Sequence, residues 1–236
     1  MSARPTPVTN QLIESLPPGV RNKLLKRCAL VDWTFGDIIC EADQKYEHVY
    51  FPVTGFISLL MKKEGNHHPL EVGLIGHEGM LGTSLVLGVN SAPLRSVVQG
   101  AGTALSIPAD QFQGALREYP GLSNLLMRYI YVLMQQLTLA GACLHFHTIE
   151  SRLARWLLMT QDRVQGDTLH LTHAFLAYML GVRRSSVSLA AEALQRQHLV
   201  SYSRGNITIL DRKGLEAASC QCYQTMAEYY ARIMRR

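Results

Sequence analysis

The sequence predicts an α+β chain in three parts: an N-terminal double-sheet β-roll with lead-in helices, a long helix, and a C-terminal winged helix-turn-helix. Three observations carry this reading. From Val31 to about Ile107, short runs rich in Val, Ile, Phe and Tyr are separated by turn residues; from Leu122 to about His147, an apolar periodicity runs without proline; from Leu169 to Leu210, two short helical patterns flank Gly181 and lead into an alternating hairpin.

The bulk properties agree with a folded chain. At 236 residues it has room for one large or two small domains, and 47% hydrophobic with 17% charged residues excludes disorder as its main state. Its apolar stretches are interrupted by Arg128, Gln135 and Gln136, so no membrane span is expected. The first residues, MSARPTPVTNQLIESLPPG, hold no apolar stretch of secretory type, and the expected location is the cytoplasm. Five scattered cysteines without a CxxC argue against a disulfide framework or a zinc ribbon. A formal net charge of +5 permits a polyanionic partner without demanding one.

Element by element, Leu12, Ile13, Leu16, Val20, Leu24 and Leu25 recur at helical spacing over 11–28, broken by Pro17-Pro18-Gly19. The roll follows, punctuated by Gly36, Gly55, Gly65, Gly73, Gly76, Gly79, Gly82, Gly88, Gly100 and Gly102; such turn density between short strands signals a barrel or jelly roll. ADQFQGALREYP reads as a short helix ended by Pro120. In the long helix, Leu122, Leu126, Tyr129, Leu133, Leu137, Ala140 and Leu144 step at near-heptad spacing. This stripe either meets its copy in a second chain or packs on the chain's own roll. A helix over Ile149–Val164 comes next, with Leu153, Trp156 and Leu157 on one face, ended by Gly166-Asp167. The expected domains are 1–120 for the roll, 121–147 for the dimerisation helix and 148–236 for the DNA-binding unit.

The stretch LHLTHAFLAYMLGVRRSSVSLAAEALQRQHLVSYSRGNITIL carries the chemistry. Thr172 suits the N-cap of a helix His173–Leu180 whose Phe175, Leu176 and Met179 or Leu180 face inward. Gly181 allows the chain to reverse, and a second helix, Ser185–Gln197, buries Val187, Ala190, Ala191 and Leu194. In a helix-turn-helix the first turn of the second helix meets base edges. Arg183, Arg184, Ser185, Ser186 and Ser188 are of the right types: arginine forks onto guanine, serine serves bases or phosphates, and the helix N-terminus favours a phosphate oxygen. Two alternating strands around Arg204-Gly205-Asn206 form a wing, with Arg204 near its tip for a phosphate. The predicted DNA-contacting set is Thr172, Arg183, Arg184, Ser185, Ser186, Ser188 and Arg204.

Roll, long helix and winged helix-turn-helix in this order resemble the Crp/Fnr family of bacterial transcription regulators over almost the whole chain. The stretch from LTHAFLAYMLGVRRSSVSLAAEALQRQHLV to the wing is the most specific match, and FGDIICEADQKYEHVYFPVTGFISLL a looser one. The resemblance implies a cyclic-nucleotide-binding-like roll and places Arg184 on a position commonly used for base contact. Members that bind cyclic AMP carry Gly-Glu-x-x and then Arg-Ser or Arg-Ala. Here Gly79-Met80-Leu81-Gly82-Thr83-Ser84 supplies no carboxylate for the ribose, leaving Arg95 and Ser96 as a potential anion or effector contact. Cyclic AMP is not the expected signal. The oxygen-sensing branch uses an N-terminal cysteine cluster, whereas only Cys28 and Cys40 precede residue 50, so no iron–sulfur centre is expected. Ser185 and Leu189 stand where the cyclic-AMP-binding type has Glu and Arg, which implies a different DNA site.

Cys143 and His147 share a helix face with His145 nearby, but would need further ligands; Cys220 and Cys222 read as incidental, and no metal site is expected. Glu41, Glu47, Glu64, Glu71 and Glu78 read as solvated loop or edge charges. With no GxSxG, P-loop, HExxH or paired-carboxylate spacing, no enzyme is expected. The sequence therefore predicts a homodimeric, sequence-specific transcription regulator, paired through residues 122–147, with double-stranded DNA and RNA polymerase as partners and an unidentified signal sensed by the roll. The competing reading is a cyclic-nucleotide-like ligand sensor whose helical C-terminus binds a protein.

Overall fold

A computed structural model describes residues 10–61, 69–164 and 166–234; Glu64 and Gly65 lie outside these. Two short helices, α1 (Gln11–Glu14) and α2 (Pro18–Leu25), lead in, separated at Pro17 as expected, with Pro18 at the first helical position where its missing N–H costs nothing. Seven strands follow: β1 (Ala29–Trp33), β2 (Ile38–Cys40), β3 (His48–Pro52), β4 (Phe56–Met61), β5 (Leu70–Ile75), β6 (Arg95–Gly100) and β7 (Gly102–Pro108). They form two antiparallel sheets, β1-β7-β3 and β2-β6-β4-β5. Chain passage between the sheets at Gly100–Gly102 brings backbones very close. Gly55 faces this corner at φ 73°, where an added Cβ would lie 2.2 Å from the Gly100 carbonyl oxygen.

The roll core is built from inward residues such as Val49, Phe51, Ile57, Val98 and Ile107. Helix α3 (Ala109–Glu118) and the 27-residue α4 (Pro120–Phe146) close it through Phe112, Leu122, Leu125, Leu126, Tyr129 and Val132. Pro120 begins α4 as well as ending the short helix before it. Beyond α4 lie α5 (Ile149–Gln161), β8 (Thr168–His170), α6 (His173–Leu180), α7 (Arg184–Arg196), β9 (Val200–Ser203), β10 (Asn206–Ile209), α8 (Arg212–Ala218) and α9 (Cys222–Met234). Residues 153–215 supply most of a second core. Helix α9 instead packs back along α4, putting Met234 in the first core and Tyr230 Oη 2.7 Å from the Glu78 carbonyl, to which it donates.

The predicted α4 stripe divides. Leu122, Leu126 and Tyr129 are buried in the chain's own core, so they are unavailable to a second chain; Leu137 and Leu144 are exposed. The exposed apolar face runs instead through Met127, Tyr131, Met134, Leu137 and Leu144. Helix α4 is apolar on two faces, and the roll takes the one that reaches its open end.

Asn10 fastens the lead-in to the roll. Fully buried, it donates to the Pro52 and Gly79 carbonyls at 2.9 Å each, and its Oδ1 caps α1 by accepting from the Leu12 and Ile13 amides. Asn10→Ala strands these buried groups and is expected to cost about 2–4 kcal/mol, combining a lost cap with unsatisfied carbonyls. Urea unfolding measures this, and a loss below about 1 kcal/mol contradicts the assignment.

Candidate nucleic-acid interface

Helix α6 starts where Thr172 Oγ1 accepts from the Phe175 amide at 3.1 Å. Thr172, expected both as this cap and in the DNA-contacting set, has its hydroxyl engaged as the cap. The helix ends at Gly181, φ 65°, with the Val182 amide donating back to the Ala177 carbonyl at 3.0 Å; this closes the helix and turns the chain. A Cβ on Gly181 would come within 2.7 Å of Leu70 Cδ1, so glycine serves both the turn and the close approach to β5.

Helix α7 begins one residue earlier than the sequence predicts, with Arg183 as an N-cap lacking a side-chain cap bond. Val187, Ala190, Ala191 and Leu194 are buried as expected. Arg183, Arg184 and Ser185 are exposed, and Ser186 is half-buried. Ser188 is also half-buried: its hydroxyl lies 3.1 Å from the Arg184 carbonyl and 2.9 Å from His173 Nδ1. The His173 ring in turn stacks on Tyr202 at 4.2 Å, and burial, with Arg184 adding, lowers its pKa. One polar chain therefore links the starts of α6 and α7 to the wing. Sequence reasoning leaves Leu189, Glu192 and Arg196 out of the contact set, although they follow Ser185 at steps of four, three and four and are exposed, Leu189 at 67%. That spacing is the signal that finds them.

The wing has three strands rather than two, ordered β8-β10-β9. The short β8 escapes a pattern-based reading because three residues carry too little alternation. Arg204 and Gly205 form the β9–β10 turn with φ of 49° and 82°, the positive-φ pair of a tight hairpin. Arg204 is exposed there, and the Tyr202 amide ties the wing to α7 by donating to Gln195 Oε1 at 2.8 Å.

In the roll, Arg95 Nε lies 3.2 Å from Glu41 Oε1, an ion pair that makes no hydrogen bond at that nitrogen. Ser96 is fully buried, opposite Cys40 and Leu59. A cavity of about 790 Å³ lies elsewhere, where His77, Glu78, Tyr129, Arg163 and Tyr230 meet. Cys143, His147, Cys220 and Cys222 come together at the far end of α4, uniting two pairs that the sequence keeps apart.

Two of the supposedly solvated carboxylates are structural. Glu78 accepts from Arg163 Nε and Nη2 at 3.0 and 2.6 Å. Glu71 accepts from Ser58 Oγ at 2.5 Å and from Trp156 Nε1 at 2.7 Å, joining β5 to α5. Both sit where the roll meets the second core, a junction no local pattern reveals. Burial pushes the Glu71 carboxyl up to about 7, outweighing those hydrogen bonds and the Arg155 and Arg163 charges, which act downward.

Residues 151–218 match the family model of the Crp-like helix-turn-helix domain. A global nitrogen regulator of Synechocystis is 27% identical over 173 residues, covering 69% of this chain and 76% of that protein. Residues 151–218 therefore carry a helix-turn-helix of the Crp-like type. Its fold is similar to that of FixK2 from Bradyrhizobium japonicum (TM-score 0.68, 16% identity, 82% of this chain and 98% of that one). A Crp/Fnr-family regulator from Eubacterium rectale gives TM-score 0.67 at 18% identity, covering 91% and 98%. Among the described residues, no helix is long and apolar enough to cross a membrane.

The raised Glu71 pKa has a thermodynamic consequence for the fold. The folded chain holds the Glu71 proton more tightly than the unfolded one, so the contribution to stability is complete below about pH 4.5 and is lost as pH rises to about 7. At about 1.4 kcal/mol per unit, the change reaches at most about 3 kcal/mol. Glu71→Gln should flatten that part of the stability–pH profile in urea unfolding from pH 5 to 8; equal slopes in both proteins would refute the assignment.

Proposed function

We propose that this chain is a Crp/Fnr-type transcription regulator that binds a pseudo-palindromic DNA site as a homodimer, with α7 of each protomer in the major groove. The observation that carries this reading is the first turn of α7: exposed Arg183 and Arg184 beside an N-terminus that no side chain caps. Arg184 forks onto a guanine, Ser185 reaches the neighbouring base edge or phosphate, and Arg183 and Arg204 grip the backbone. Thr172, Ser186 and Ser188 act mainly by setting the geometry of these groups, since the Thr172 and Ser188 hydroxyls are held within the protein and Ser186 is half-buried. Leu189, exposed in mid-helix, suits a thymine methyl.

The dimer forms through the exposed α4 face of Met127, Tyr131, Met134, Leu137 and Leu144, within residues 122–147. Gly141, with open space around it, lets a second helix approach closely. The roll receives the signal, and the stretch Gly79-Met80-Leu81-Gly82-Thr83-Ser84, which offers no carboxylate for a ribose, argues against cyclic AMP as that signal. The bound dimer acts on RNA polymerase at the neighbouring promoter.

Arg184→Ala is expected to weaken specific binding by about 1–3 kcal/mol, relax the preference at one base pair, and leave nonspecific binding nearly unchanged. Gel-shift titration on specific and scrambled duplexes tests this; equal losses on both would reassign Arg184 to a phosphate. Met134→Glu places like charges across the paired helices and should weaken the dimer roughly 100-fold or more. Sedimentation equilibrium reads that change, and an unaltered dimer moves the interface elsewhere.

A further inference from the structure

We propose that Cys143, His147, Cys220 and Cys222 form a binding site for one zinc-class divalent metal ion. Their ligand atoms all lie within 4.8 Å of one another. Cys143 Sγ and Cys220 Sγ are 3.5 Å apart, and Cys222 Sγ is 3.6 Å from His147 Nδ1. A tetrahedral zinc site with Zn–S near 2.3 Å and Zn–N near 2.1 Å has ligand edges of about 3.8 Å between sulfurs and about 3.6 Å between sulfur and nitrogen. Two of the six edges thus stand close to the required spacing, and none of the others exceeds 4.8 Å.

The local fold explains the convergence. Cys143 lies in the last turn of α4 and His147 is the C-cap of that helix, four residues on and on the same face. Cys222 opens α9, and Cys220 precedes it by two residues, after α8 has ended at Ser219. Because α9 runs back along α4, both cysteines arrive at the end of the long helix, 77 residues from Cys143 in the case of Cys220. All three cysteines are buried, and His147 is half-buried.

The chemistry selects the ion. Three thiolates and one imidazole form a soft, four-coordinate set that favours zinc over magnesium or calcium, and a complete set of protein ligands is that of a structural site. Binding to the reduced chain releases up to three thiol protons to solvent and changes no oxidation state. Three thiolates around a divalent cation leave one negative charge. Arg155 answers it from α5: its Nη1 lies 3.7 Å from Cys143 Sγ, and its buried Nε makes no hydrogen bond. The ion would lock the end of α4 to the start of α9, spanning the joint at His147 and Thr148 from which the helix-turn-helix unit departs.

The test is titration of the reduced, metal-free full-length chain with Co²⁺, followed by displacement with Zn²⁺. One equivalent per chain, with the ligand-field bands of tetrahedral cobalt and thiolate charge transfer, is expected. The bands should vanish in Cys143→Ser and in Cys222→Ser and persist in a Cys28→Ser/Cys40→Ser control. Absence of the bands in the unaltered chain, or their survival in Cys143→Ser, overturns the proposal. So does peptide mapping that finds Cys143 and Cys220 joined as a disulfide in chains purified without chelator and free of metal. The unaltered-chain titration decides the matter even if a variant fails to fold, and its outcome is independent of whether the protein binds DNA.

Discussion

Helix α4 has to satisfy two apolar faces at once, and the rest of the architecture depends on how it does so. One face closes the roll through Leu122, Leu125, Leu126, Tyr129 and Val132. The other leaves Met127, Tyr131 and Met134 in water, with Met134 59% exposed. At roughly 25 cal/mol per Å² of apolar surface removed from water, such a row favours a partner surface. In the proposed dimer a second copy of the same helix meets that need and fixes the separation of two DNA-binding units, so that fold stability and assembly fall on opposite sides of one element.

The second core is held to the first by specific polar and aromatic contacts. Trp156 of α5 donates to Glu71 of β5 while its ring stands 6.2 Å from that of Phe175, which lies 6.3 Å from Phe35 of the roll. Arg163 and Glu78 form a second connection, and Tyr230 of α9 reaches the same glutamate's backbone. A change in the roll therefore has short physical routes to α5 and α6.

Much of this fold is legible in the sequence because local chemistry determines it. Gly181, the cap at Thr172 and Pro18 at the first helical position fix helix ends, the glycine-punctuated β segment fixes the roll, and Val187, Ala190, Ala191 and Leu194 fix the buried side of α7. What the sequence conceals is set by tertiary phase and distance. Periodicity finds an apolar stripe on α4 but cannot decide which of two stripes the roll takes. Glu71 reads as a surface charge until α5 is laid across it. Cys143 with His147 is half a ligand set, as is Cys220 with Cys222, and only the return of α9 along α4 unites them. The wing's third strand is too short to alternate.

In the proposed complex, two copies of α7, set by paired α4 helices, read successive major grooves. Selection of bound sequences from random duplexes probes this arrangement without presupposing a site. An enriched motif of two inverted half-sites whose centres lie about one helical turn, roughly 10 base pairs, apart is expected. Failure to enrich any motif, with or without candidate effectors, or enrichment of a lone half-site bound by one chain, would contradict it.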